Sequence, residues 1–499
     1  MLDGLILGFQ VALSLDNLFY CFIGVTLGTF IGMLPGVGPL VTIAMLLPMT
    51  YGLTPVASMI MLAGIYYGAS YGGSSTAILV NLPGESSSVV TCIDGYQMAR
   101  KGRAGAALAI AAIGSFVAGC IGTFGIALFA PMLGRAALAF GPAEYASLIV
   151  MALVATSVLV QGALVKGLLM ALLGILIGLV GMDVNSGTMR FTFGLTSLME
   201  GINFVVVAVG TFAFAEIIRE LRPAKDEPAH QLAAVDSLMP TGEELRQSVK
   251  PILRGTGVGM LCGILPGIGA TVSSFASYIL EKRCAKDPSR FGKGAIEGVA
   301  GPESANNAAS QTTFIPTLTL GVPGSATMAL MLGALMIHGI TPGPNIITER
   351  PALFWGLVAS MWVGNLMLVI LNLPLIRLWI VLLKVPYSWL FPMILVLSCL
   401  GIYTLSNEPM DVLLGAGFGI FGYIVLQLGF SLAPFILGLV LGPMLEENLR
   451  RALLISHGDP WTFIESPISA GFLLASAVML ALLVLPTVRR SKQHLEQEA

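Results

Sequence analysis

GMLPGVG, at Gly32–Gly38, interrupts an apolar run and returns as GILPGIG at Gly263–Gly269. Pro removes the backbone donor that continues a helix, and Gly opens backbone geometries closed to other residues. Each copy is therefore expected to break a helix inside an apolar segment. Two further pairs follow in the same order. NLPGES at Asn81–Ser86 answers to GVPGSA at Gly321–Ala326, and GPAEY at Gly141–Tyr145 to VPYSW at Val385–Trp389. The offset grows from 231 to 240 to 244, as expected of two related halves whose loops have gained residues.

Composition says what surrounds these breaks. Hydrophobic residues make up 56% of the 499, and charged residues only 10%. A soluble domain carries about 25% charged residues. The missing polar skin implies lipid as the solvent for most of the chain. The expected fold is an all-α polytopic membrane protein, with two inverted-topology repeats, broken helices or re-entrant hairpins, and about 10–14 membrane segments. The net charge of −2 is uninformative by itself, but no basic run is suited to nucleic acid, so no nucleic-acid partner is expected. The six Cys form no Cys-x-x-Cys pair and read as small apolar packing residues. The start, MLDGLILGF, lacks a basic n-region, so the first segment is expected to remain in the mature protein.

Apolar segments at 5–34, 37–49, 56–70, 74–82, 104–132, 143–160, 162–182 and 203–218 precede one long hydrophilic stretch. Others resume from 255 and run to 487. The expected division is a first membrane repeat at 1–218, a polar cytoplasmic linker at 219–254, a second repeat at 255–487 and a polar tail at 488–499. Thr50–Pro55 carries no charge, whereas its counterpart Glu281–Lys293 carries five Lys and Arg. Arg100, Lys101 and Arg103 reverse this pattern against the uncharged Thr341–Asn345. Lys and Arg favour the cytoplasmic side, so corresponding loops lie on opposite faces and the repeats are inverted.

The chemistry gathers at three places. Pro35, Gly36, Gly38, Pro266, Gly267 and Gly269 form the paired breaks, whose freed carbonyls and amides can ligate an ion or pack tightly. YGGSSTAILVNLPGESSS at Tyr71–Ser88 supplies Ser74, Ser75, Thr76, Asn81 and Gly84. Its partner stretch supplies Asn306, Asn307, Ser310, Gln311, Thr312, Gly324 and Ser325. Such groups can glue helices, but two dense clusters ending in Pro-Gly turns make a polar cavity. Hydroxyls, amides and helix N-termini can hold a carboxylate without a fixed cation. Glu85 and Glu303 lie inside these motifs, and Asp94 and Glu297 nearer the charged loops. Glu303 is assigned to ion coupling, its partner a sodium ion, a proton or Arg. His338 reads as a satisfied structural histidine, and Lys166 as a snorkelling one.

GTFIGMLPGVGPL at 28–40, YYGASYGGSSTAILVNLPGE at 66–85, DGYQMARKGRAGAAL at 94–108 and PESANNAASQTTFIPTLTLGVPGSATMALMLGAL at 302–335 resemble the large membrane subunit of the tripartite tricarboxylate transporters, the TctA family. The resemblance spans roughly residues 15–485. It implies a secondary transporter of the bacterial inner membrane, carrying carboxylates (citrate is the namesake substrate). It also implies a small four-helix membrane subunit (TctB-like), a periplasmic solute-binding protein (TctC-like) and uptake driven by an ion gradient, Na⁺ first. No other cofactor is expected. Three rival readings are a carboxylate or ion channel, an intramembrane enzyme and a non-transporting assembly subunit. No Walker A motif, metal-ligand cluster or catalytic triad favours an enzyme.

Overall fold

The computed structural model describes residues 1–34, 38–159, 163–183, 186–220, 239–265, 269–376, 378–379 and 387–484. Pro35, Gly36, Pro266 and Gly267 lie outside the described residues, as do 221–238 of the expected linker and the tail at 488–499. Helices dominate. Among the described residues the one sheet is a two-stranded antiparallel pair, β1 (Gly181–Met182) and β2 (Met189–Arg190).

The first half runs through α1 (Leu2–Ala12), α2 (Leu15–Gly32), α3 (Pro39–Leu46), α4 (Pro55–Val80), α5 (Ala104–Ala137), α6 (Pro142–Leu159) and α7 (Leu164–Gly178). A composite helix follows the β-pair: Phe204–Ala208, a π-helical turn at Val209–Phe214, and Ala215–Glu220. The second half comprises α8 (Gly242–Ile264), α9 (Gly269–Cys284), α10 (Glu297–Thr312), α11 (Phe314–Leu320), α12 (Ala326–Ile337), α13 (Pro351–Asn372), α14 (Tyr387–Ser406), α15 (Pro409–Gln427), α16 (Leu432–Ile455) and α17 (Pro467–Val484). Among the described residues, five helices are long and apolar enough to cross a membrane: α2, the stretch Val89–Ala137, α13, α15 and α16. Seven shorter apolar helices accompany them.

Two expected boundaries move. The segments 56–70 and 74–82 are one helix, α4. Its Gly68 and Gly72 are close-packing positions against Val25 O and Thr29 O, not breaks. In the second half, α8 begins at Gly242, inside the stretch expected as linker. A capping box starts it: Thr241 Oγ1 accepts from the Glu244 amide, and the Glu244 carboxylate accepts from the Thr241 amide at 2.7 Å.

Glycine sets the closest helix packing. A Cβ added at Gly24 or Gly28 of α2 would lie 2.3 Å from Met61 O or 2.4 Å from Ile65 O of α4. One turn on, Gly32 would meet Ala69 at 2.4 Å. In the second half a Cβ added at Gly255, Gly259 or Gly263 of α8 would lie 2.2, 2.3 or 2.6 Å from Gly301 O, Ala305 O or Ala309 O of α10. The glycines repeat at the 231 offset and their partners at the 240 offset read from the sequence. α4 and α11 both end in a left-handed residue, Asn81 (φ 59°) and Gly321 (φ 67°). The loops beyond fold back alike: Gly84 packs on Gly73 and Gly32 O, and Gly324 on Thr313 and Gly263 O.

The halves are tied together at both ends. Asp94 is fully buried; its Oδ1 accepts from the Gly294 and Ala295 amides at 2.7 and 2.8 Å, and its Oδ2 from the Tyr278 hydroxyl at 2.9 Å. Beside it Lys101 Nζ donates to Lys293 O, and Arg103 pairs with Glu244. The two positively charged loops therefore meet. Elsewhere, His338 Nε2 and Ser58 Oγ lie 2.9 Å apart, joining the segments beside the two uncharged loops. The β-pair is fixed to α16 by Arg190–Glu446 and Arg450–Asp183 ion pairs at 2.7 and 3.0 Å.

Candidate substrate and ion site

α4 and α10 carry most of the polar residues singled out in the sequence, and both are buried almost throughout. A polar helix is expensive in lipid, and burial among other helices is how it is accommodated. Their polar faces meet where the two folded-back loops approach.

Four contacts join the halves here. Asn306 Nδ2 donates to Glu85 Oε1 at 3.1 Å. Asn307 Nδ2 donates to Ser115 Oγ on α5 at 2.6 Å. Ser74 Oγ donates to Glu303 Oε2 at 2.8 Å, and Thr91 Oγ1 to Glu303 Oε1. Neither Glu85 nor Glu303 has an ion-pair partner among the described residues.

The remaining candidates divide. Ser310 and Gln311 are buried on α10, and Gln311 Oε1 accepts from Thr123 Oγ1 at 3.3 Å. Ser75 and Thr76 bond their own helix, through Tyr71 O and Gly73 O. Thr312 donates to Ala308 O and Met260 O, and so serves packing between α10 and α8. Ser325 caps α12 by accepting from the Met328 amide at 3.2 Å. Asn81 is exposed and acts as the left-handed end of α4, apart from the buried cluster. Gly84 and Gly324 are the close-packed loop residues, while Gly38 approaches Gly84 O and Gly269 adopts φ 62°. Asp94 and Glu297 stand aside from this cluster: Asp94 ties the halves together, and Glu297 pairs with Arg290 at 3.3 Å.

Several buried polar atoms have no hydrogen-bond partner: Asn306 Oδ1, Asn307 Oδ1, Gln311 Nε2, and the hydroxyls of Tyr67 and Tyr71. Leaving such a group unpaired costs about 1–3 kcal/mol. A concentration of them, with donors and acceptors mixed, marks where a polar ligand would recover the loss. Sequence reading missed Tyr67, Tyr71, Asn365 and Asn372. The signal for the last two was available: α13 is apolar enough to span a membrane yet carries Asn365 and Asn372 two turns apart. Both are buried and both retain unpartnered amide atoms.

The model of the tripartite tricarboxylate transporter TctA family matches residues 18–437. The chain belongs to that family. Members of the TctA family are transporter components, and their tripartite systems use TctB and TctC partners. A protein of Agrobacterium vitis, "Uncharacterized 52.8 kDa protein in TAR-I ttuC' 3'region", is 53% identical over 500 residues, covering 100% of this chain and 99% of the relative. A second from the same organism, "Uncharacterized protein in TAR-II ttuC' 3'region", is 54% identical over 236 residues, 47% of this chain and 98% of the relative. No solved structure matches the chain.

Proposed function

We propose that this TctA-family chain is the large transmembrane subunit of a binding-protein-dependent secondary transporter in the bacterial inner membrane. It imports a tricarboxylate or related organic carboxylate, coupled to Na⁺. A small four-helix membrane subunit and a periplasmic solute-binding protein complete the system. The observation that carries the reading is the buried cluster of unpartnered amides and hydroxyls on α4 and α10, enclosed by two folded-back loops. Gln311 Nε2 and the Tyr67 and Tyr71 hydroxyls are donors available to a carboxylate, and no fixed cation is needed.

The inverted arrangement is supported by the contacts between halves. Arg100–Arg103 lies with Lys293, whereas Ser58 lies with His338. Each uncharged loop is thus grouped with the other, away from the charged pair. Inverted repeats around a shared site suit alternating access, in which one unit carrying both loops moves against the remaining helices.

The test is uptake of labelled citrate and other di- and tricarboxylates. Vesicles would hold this chain, its small subunit and its binding protein, with and without an inward Na⁺ gradient. Saturable uptake that needs the binding protein and Na⁺ is expected. Asn306→Ala and Asn307→Ala are expected to reduce it tenfold or more in complexes that still assemble, each lost contact being worth about 1.4 kcal/mol or more. Full uptake in both variants refutes the site. Non-saturating flux without the binding protein identifies a channel instead.

A further inference from the structure

The Glu303 carboxylate is 1% exposed and has two fixed donors, Ser74 Oγ and Thr91 Oγ1, both from the other half of the chain. It borders a narrow cavity of about 10 Å³, room for roughly one water molecule. Tyr71, Ser74, Ser115 and Asn372 share its wall. We propose that Glu303 is a proton-binding site of the transport unit, with Asn372 as the acceptor that receives its proton-bearing hydroxyl. The proposal rests on the reading of the chain as an ion-coupled transporter and adds a proton at a site separate from the helix breaks.

Two observations support it. First, the charge on this carboxylate faces no basic group among the described residues. The titratable groups that act on it are Tyr71 from α4, Cys92 from the segment leading into α5, and Glu85 from the loop after α4. α5 lines the cavity with the apolar Leu108, Ala111 and Ala112 and the neutral Ser115, and α13 with the neutral Asn372. The next charges are committed elsewhere: Asp94 to Tyr278, Gly294 and Ala295, and Glu281 to Arg254. A buried charge without a partner is relieved most cheaply by neutralisation.

Second, the surroundings provide for both states. Ionised, Glu303 accepts from Ser74 and Thr91. Protonated, it becomes a donor and needs an acceptor. Asn372 Nδ2 is anchored to Leu368 O at 2.9 Å, and its Oδ1, in a side chain 4% exposed, has no partner. The amide therefore keeps a lone-pair acceptor free, in a residue that borders the same one-water cavity as Glu303. Proton uptake would redirect Glu303 from donors on α4 and the Thr91 turn toward α13. One helical turn along, Asn307 Nδ2 donates to Glu303 O at 3.2 Å, which connects this site to the amides of the substrate cluster.

The experiment is a pH titration of the full chain in lipid vesicles, read by infrared difference spectroscopy in H₂O and D₂O. A carboxylic-acid carbonyl band that titrates and is missing from Glu303→Gln is expected. Asn372→Ala removes the acceptor for the protonated form and should lower the midpoint by about one pH unit; Ser74→Ala removes a donor to the ionised form and should raise it by a similar amount. Both variants keep the carboxyl group, so the test survives if Glu303→Gln fails to fold. A carboxylate that stays ionised throughout, with or without Na⁺, overturns the proposal, as do shifts of the same sign in the two variants. Because the spectrum needs neither substrate nor partner proteins, its failure is distinguishable from a failure of the carboxylate-uptake reading.

Discussion

The repeated glycine seams make a stability prediction that tests the internal repeat directly. Adding one methyl at Gly259 would put its carbon 2.3 Å from Ala305 O, and at Gly28 2.4 Å from Ile65 O. Ordinary van der Waals contact begins near 3.4 Å. Each Gly→Ala change must therefore push a helix pair apart by about 1 Å, which forfeits a quarter to a half of each contact well along the seam. Overpacking typically costs about 1–3 kcal/mol. Against this, Ala is favoured over Gly in a helix interior by about 1 kcal/mol. The clash involves backbone, which cannot rotate away, so the upper end of the overpacking range applies and a net loss of up to about 2 kcal/mol is expected for both variants. Gly257 lies on the same helix as Gly259 with nothing within 4 Å of an added Cβ. Gly257→Ala should therefore be neutral or stabilising by up to about 1 kcal/mol. Thermal unfolding of the detergent-solubilised chain, followed by circular dichroism, reads all three. If Gly28→Ala and Gly259→Ala unfold at the same temperature as Gly257→Ala, the packing argument is wrong; if only one is destabilised, the two seams are not equivalent.

Asp94→Ala would leave three donors without their acceptor (the Gly294 and Ala295 amides and the Tyr278 hydroxyl), so a loss of about 3 kcal/mol or more and faster proteolysis within 285–295 are expected; unchanged cleavage would remove Asp94 as the tie between halves. Arg254→Ala strands the Glu281 carboxylate, 1% exposed, and should cost about 3–5 kcal/mol, whereas Arg254→Met with Glu281→Leu should recover much of it. Equal damage from the single and double changes would contradict this. At the mouth of α8, burial pushes the Glu244 carboxyl up, but the Thr241 hydrogen bonds and Arg103 together hold it below the usual carboxylate range. A depressed folded value means that the stabilisation is complete above about pH 4.3 and is lost as pH falls through the folded value. Wild type should thus exceed Glu244→Gln in stability at neutral pH by less than about 1 kcal/mol, and the gap should close on acidification; a gap that widens in acid would reverse the assignment.

The sequence was informative where a residue type has one strong structural consequence. Pro-Gly pairs marked the ends of α4 and α11, and the offsets 231 and 240 matched the spacing of the close-packed glycines. The density of Asn, Gln and Ser on 303–312 pointed to a helix that lipid would not tolerate, and α10 is buried. Sequence reasoning failed where one residue type serves two purposes. The segments 56–70 and 74–82 were divided at 71–73, yet they are one helix, in which Gly72 is a contact point because a neighbouring backbone approaches it. Asn81 looked like a ligand, yet Asn tolerates left-handed backbone and here it ends a helix. Asn365 and Asn372 were passed over because an apolar helix hides isolated polar residues in its average, and the place of Asn372 beside the Glu303 cavity is set by tertiary packing alone.

The repeat also explains why two similar halves need not build two similar sites. Across the 240 offset, Glu303 corresponds to Ala63, Asn306 to Tyr66, Asn307 to Tyr67, Ser310 to Ser70 and Gln311 to Tyr71. The backbone frame is shared, as the glycine seams and the left-handed helix ends show. The chemistry at these positions is not: Glu303, Asn306, Asn307 and Gln311 supply a carboxylate and amides where Ala63, Tyr66, Tyr67 and Tyr71 supply a methyl group and phenols. Every contact of the Glu303 carboxylate crosses from one half to the other, because its donors Ser74 and Thr91 both come from the first half. Residues at the same offset thus differ in chemistry, and Glu303 of one half meets Ser74 of the other in the wall of one cavity. A displacement of either half relative to the other would then change the ligation of the buried carboxylate directly, which is the physical condition for coupling an ion to a conformational change.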